Sequence, residues 1–275
     1  MLRSTPSSRA SRAPTVRPGG SSVPSRPKTT RSGRQATPRS RSEQKGVAAS
    51  RGLTSQPLSP ETWPAFARLV EKHNGIFGGC WCISFHLGPD DGKRTAAEYR
   101  AMKEARVRDG RAHAALVFDG ENAVGWCQFG PTEELPNIRS RKAYEEGLRR
   151  LPDWRITCFF IDRERRGEGI AHVALRGALR EIARLGGGTV EAYPEDVEGR
   201  KVSRSFLCSG TLGMFEKEGF ERSRKIAMHR WVVGRNIVPE LRPSANARAE
   251  PPVAEPSWIP VDTGRPARRI GGAPS

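Results

Sequence analysis

Apolar residues fall into two rhythms along this chain: steps of three and four that mark helices wetted on one side, and short runs that mark strands. Ala171, Ala174, Leu175, Ala178, Leu179, Ile182 and Leu185 keep the first rhythm, with Arg176, Arg180 and Arg184 opposite them, until Gly186-Gly187-Gly188 stops the helix. Trp63, Phe66, Ala67 and Val70 line an earlier helix, opened by Ser59 as cap with Pro60 at the first helical position and ended by Asn74-Gly75. Thr95-Ala96-Ala97-Glu98 is a capping box, predicting a helix through Tyr99, Met102 and Ala105 to Gly110. Apolar runs over 114–118 and 123–129, separated by Asp119-Gly120-Glu121-Asn122, predict an antiparallel hairpin. A long strand follows over 154–161, another over 189–193, and a helix near 211–218; Gly219-Phe220 and 230–233 suggest two closing strands. Between the hairpin and the long strand, 131–152 holds a short basic helix around 141–149. The aromatic, sulfur-rich stretch 77–86 fits a buried loop or a short strand equally.

Charge is distributed unevenly. Residues 1–51 hold twelve Lys or Arg and one acid, Glu43, and so supply +11 of the formal +17. Rich in Ser, Pro and Thr and nearly free of large apolar side chains, this segment cannot offset its ordering entropy and is expected to be disordered. The Pro/Ala/Arg-rich stretch 235–275 is expected to be mostly disordered as well, which leaves 52–234 as one compact domain. A basic arm suits nucleic acid or an anionic surface through counterion release. No aromatic residues interleave with these arginines for base stacking, so a solvated extension is the favoured reading and a nucleic-acid-associated binding protein the alternative. No apolar run is long enough to cross a bilayer and no secretory signal is present, so no membrane partner is expected. The five cysteines are odd in number, as reduced thiols of a cytoplasmic protein would be. Cys80-Trp81-Cys82 with His86 lacks the spacing and the second pair of a zinc site, and no metal is expected.

The chemistry concentrates where the long strand ends. Cys158-Phe159-Phe160-Ile161-Asp162-Arg163-Glu164-Arg165-Arg166-Gly167-Glu168-Gly169-Ile170-Ala171 passes from buried strand through paired arginines and spaced glycines into the amphipathic helix. A diphosphate is well served by a helix start whose first amides lack intrahelical partners, by glycines that let backbone approach, and by guanidinium groups that fork onto phosphate. A dinucleotide fingerprint would need a third glycine where His172 stands, and the Gly-Lys-Ser/Thr of a nucleoside triphosphate loop is absent.

The stretch resembles the acetyl-coenzyme A signature Arg/Gln-x-x-Gly-x-Gly/Ala of the GNAT superfamily of N-acetyltransferases, matched by Arg166, Gly169 and Ala171. The order of predicted elements is similar to that family's over about the whole span 52–234. The resemblance implies an α/β (α+β) fold with a mixed, mostly antiparallel central sheet flanked by helices. It also implies acetyl-CoA as acyl donor, gripped by Arg165, Arg166, Gly167, Glu168, Gly169, Ile170 and Ala171, with Phe160 and Ile161 along a gap entered by the pantetheine arm. The acceptor would be an amine attacking directly in a ternary complex, and the protein a monomer or homodimer. The family's frequent tyrosine, four residues before a Gly-Phe pair, is Phe215 here. Alternation puts Thr189, Glu191 and Tyr193 on one strand face, so Glu191 is the candidate base and Tyr193 the candidate acid. Glu133, Glu134 and Asp153 compete for the first role, and Cys208 lacks the histidine a nucleophile would need.

Overall fold

The computed structural model describes residues 52–88, 90–203 and 206–240; the disorder expected of 1–51 and most of 235–275 falls on residues outside these. Strand β1 is Leu53–Pro57, β2 is His113–Asp119, β3 is Asn122–Pro131, β4 is Trp154–Ile161, β5 is Gly188–Ala192, β6 is Glu221–Ala227 and β7 is Arg230–Ile237. Helices α1 (Trp63–Lys72), α2 (Ala96–Arg108), α3 (Arg141–Glu146), α4 (Ile170–Arg184) and α5 (Leu212–Lys217) connect and cover them. The sheet order is β1-β2-β3-β4-β5-β7-β6, with β4 and β5 its one parallel pair.

Each face of the sheet has its own core. On one face, α1 buries Phe66 and Val70 against an aromatic cluster in which Trp126 lies 4.8 Å from Phe66 and 4.9 Å from Phe160, ring centre to ring centre. On the other, Ile170, Ala174, Leu175, Ala178 and Ile182 of α4 pack on β1 to β4 while Arg176, Arg180 and Arg184 face water, as the periodicity predicts. Helix and sheet meet closely at Gly177, where a Cβ would sit 2.6 Å from Ser55 Oγ and 3.0 Å from Ala115 Cβ.

Several boundaries depart from expectation. α1 begins at Trp63, because Thr62 Oγ1 accepts the Ser59 N–H at 2.9 Å and donates to Pro57 O at 2.8 Å, so a turn precedes the helix that Ser59 was expected to cap. β1 was missed, since Leu-Thr-Ser-Gln-Pro has too little apolar character to announce an edge strand. The closing strands lie later than predicted: Gly219 is a turn at φ +78°, and β6 is the polar run Glu-Arg-Ser-Arg-Lys-Ile-Ala. Its charge suits an edge strand that must discourage pairing with a further chain. β7 runs to Ile237, past the expected domain boundary at Gly234, because Ile237 pairs with Gly188 and is buried. The stretch 77–86 is a loop with one 3₁₀ turn, Ser84–His86.

The capping box forms as read: Thr95 Oγ1 accepts the Glu98 N–H and Glu98 accepts the Thr95 N–H. Thr95→Ala is expected to lower stability by about 1 kcal/mol, measurable in urea melts.

Candidate functional site

β4 carries one residue more than β3 opposite Gln128 and Phe129. Cys158 faces Gln128 and Ile156 faces Phe129, so Thr157 bulges. The bulge coincides with a parting of strands, because β4 pairs with β5 only at Trp154, Arg155 and Ile156, opposite Val190, Glu191 and Ala192. Past it the edge of β4 is open to other partners. The Asp162 N–H reaches back to Val124 O on β3, whereas the Phe159 N–H donates across the gap to Cys208 O at 2.6 Å. Alternation turns the Ile161 N–H the same way as that of Phe159.

A cavity of about 360 Å³ opens here, bounded by Phe159, Phe160 and Ile161 on one side and Leu207, Cys208, Thr211 and Met214 on the other. Arg166, Gly167, Gly169, Ile170 and Ala171 close its end. Arg163–Arg165 form a 3₁₀ turn capped by Asp162, Arg166 returns to extended backbone, and Gly167 and Gly169 take φ +92° and +80°. These left-handed values bring the chain into α4 with Gly169 as a cap that has no side chain to satisfy the helix start. Among the described residues nothing accepts the N–H groups of Gly169, Ile170 or Ala171. An unsatisfied helix start, a guanidinium with no acidic partner among the described residues, and an apolar slot leading away suit a ligand with a diphosphate head and a long thin arm.

Arg165 and Glu168, grouped with these residues in the sequence, do not line the cavity. Arg165 Nε donates to Glu168 at 2.7 Å and its Nη1 to Asp119 at 2.8 Å, so the guanidinium braces the turn against the β2–β3 hairpin. A second brace is Asp162, which accepts from Lys72 at 2.9 Å and lies 3.1 Å from His73 Nε2. Burial pushes its carboxyl up, but the Lys72 ammonium and the Glu164 N–H outweigh burial and hold the pKa below 3.8. A depressed folded-state pKa contributes stability above the unfolded value that is lost as pH falls through the folded one. Asp162→Asn is therefore expected to destabilise most near neutrality and progressively less on acidification below about pH 4, a convergence that paired urea melts across pH would reveal.

Glu191 and Tyr193 do share a face, as alternation predicts, and come within 3.4 Å of each other. Tyr144, unmarked in the sequence, donates to Glu191 at 2.8 Å and meets the Tyr193 ring edge-on. This group lies apart from the cavity: Glu191 borders an open groove with Arg149, Arg150 and Arg224. Burial pushes the phenols of Tyr193 and Tyr144 up, so both hold their protons firmly. Phe215 is fully buried between Phe159 and Phe220.

Sequence reasoning missed Phe77, His172, Cys208 and Met214 at the cavity. His172 lies in the first turn of α4, directly after the signature, where the helical pattern could have flagged it; burial pushes its imidazole pKa down despite Glu218 beside it. All five cysteines are free, four of them buried, and no cluster of metal-binding side chains occurs among the described residues. No helix among the described residues is long and apolar enough to cross a membrane.

No family model matches the chain, and no curated protein matches it. Among solved structures it is similar to an acetyltransferase from Thermus thermophilus, at 16% identity over 67% of this chain and 96% of that one, with a TM-score of 0.38. An N-acetyltransferase from Staphylococcus aureus Mu50 is similar at 15% identity over 67% and 98%, TM-score 0.39. So is yncA from Salmonella typhimurium, solved with its cofactor acetyl-CoA, at 13% over 70% and 99%, TM-score 0.39. Identities and scores of this size leave the functional reading to the residues themselves.

Proposed function

We propose that this chain is a GNAT-type N-acetyltransferase that moves the acetyl group of acetyl-CoA to an amine by direct attack. The observation that carries this reading is one convergence: the signature residues Arg166, Gly169 and Ala171 close the end of a cavity that begins where β4 parts from β5. In this reading Arg166 and the free amides at the start of α4 take the diphosphate, and the pantetheine arm lies along the open edge of β4. The Phe159 N–H is the donor sited to polarise the thioester carbonyl, so the acyl donor displaces Cys208 O from it. The amine nitrogen then forms a bond to the carbonyl carbon, the carbon–sulfur bond breaks, and coenzyme A departs as a thiolate. With an ordinary thiol pKa, that leaving group needs little help from an acid.

Glu191 and Tyr193 act at one remove in this proposal, as a carboxylate and phenol that relay the amine's proton through water. Glu191→Gln is expected to lower kcat by roughly 10-fold, less than the 10²–10⁴ of a base in direct contact, with the heat of acetyl-CoA binding unchanged. The reading as a whole is tested by calorimetry of the full chain with acetyl-CoA, followed by thiol release over a panel of amines. No heat at millimolar acetyl-CoA would overturn it.

A further inference from the structure

A second cavity, of about 290 Å³, adjoins the first, and Phe77 and Cys208 line both. Its other walls include Phe85, Tyr99 and Cys158 of β4. Among the described residues Arg139 is the one charged residue on its lining, and none of them there carries a carboxylate or an imidazole. Among the described residues no acid pairs with Arg139, which is exposed.

The wall that contains Phe77 is held in an unfavourable backbone state. Asn74, Ile76, Phe77, Trp81 and Cys82 all have positive φ, between +36° and +56°, and Ile76 is β-branched. Such a run persists only where packing over-determines it, here by burial of Ile76, Trp81 and Cys82 in the aromatic core. Packing of these three side chains thus sets the course of the loop that presents Phe77 to the cavity.

Resting on the acetyltransferase reading above, we infer that this second cavity takes the acceptor, and that the acceptor is a small aromatic amine bearing a carboxylate. Three features point to that chemistry. The walls are aromatic, apolar and sulfur-rich, which suits a flat ring. The Arg139 guanidinium suits a carboxylate, whereas a polyamine, an aminoglycoside or a lysine side chain would bring cationic charge to a lining with no acid among its described residues. Attack on the thioester requires a neutral amine, and an aromatic amine is neutral at physiological pH without a base beside it. The two cavities meet at Phe77 and Cys208, on the side of the gap where the Phe159 N–H points.

The experiment uses the full chain with acetyl-CoA and follows thiol release with 3- and 4-aminobenzoate, their methyl esters, spermidine and a lysine-containing peptide. The free acids are expected to exceed their esters in kcat/KM by at least about 10-fold. Arg139→Gln is expected to remove that difference through KM for the acids, leaving the esters and the binding of acetyl-CoA as they were. The inference is overturned if spermidine or the peptide is the better acceptor, if acetyl-CoA binds but no aminobenzoate is turned over, or if the acid-to-ester ratio survives in Arg139→Gln. Absence of any acetyl-CoA heat in the same preparation would instead bring down the acetyltransferase reading itself, and this inference with it.

Discussion

Replacing Arg166 with alanine is expected to weaken acetyl-CoA binding by about 10- to 150-fold while leaving the melting temperature of the unliganded protein close to that of the parent. The range follows from a charge-assisted hydrogen bond worth about 1.5–3 kcal/mol, at 1.4 kcal/mol per factor of ten. Stability should hold because Arg166 is half exposed, whereas its neighbour Arg165 carries the braces to Asp119 and Glu168. Arg165→Ala is the contrast: it should lower the melting temperature, and affinity should fall because the turn loosens. Gly169→Val acts on the same site through the backbone, since valine at φ +80° is strained and would turn the first amides of α4 away from their common focus. Calorimetry and thermal melts on the three variants separate a ligand contact from a brace. Wild-type affinity in Arg166→Ala would remove the guanidinium from the site.

How much of this was readable in the chain depended on whether a residue's partner was near it in sequence. The passage from β4 through Gly167 and Gly169 into α4 is local, and its strand run, glycine spacing and helical period were legible together. So was the capping box at Thr95, whose two hydrogen bonds span three residues. The roles of Arg165 and Glu168 were not, because a pair of arginines beside glycines looks alike whether it faces a phosphate or an aspartate 46 residues away. Tyr144 and Glu191 meet across 47 residues, and nothing around either one announced the contact. β1 and β6 escaped for a different reason. Edge strands are half solvated and polar, with charge added in β6, so their sequences carry little alternation, and the neighbouring strand and helix decide their conformation. The bulge at Thr157 belongs with these: the run 154–161 reads as unbroken strand, and only its mismatch with β3 reveals the extra residue.

Trp126→Ala is expected to destabilise the fold by about 3–5 kcal/mol, lowering the melting temperature by roughly 6–20 °C at 2–4 °C per kcal/mol for a domain of this size. The indole is fully buried on β3, between Phe66 of α1 and Phe160 of β4, so its loss opens a void that a helix and a strand must close by moving. Movement of Phe160 has a functional consequence, because its ring stacks on Trp126 on the core side and its residue borders the cavity on the other. Affinity for acetyl-CoA should therefore fall along with stability. Trp126→Phe separates the two effects: it keeps a ring against Phe160 while shedding part of the volume, and should recover more of the binding than of the melting temperature. Equal recovery of both would mean that the aromatic stack supports the slot only through global stability, and that Phe160 is held in place by β3 and β4 pairing alone.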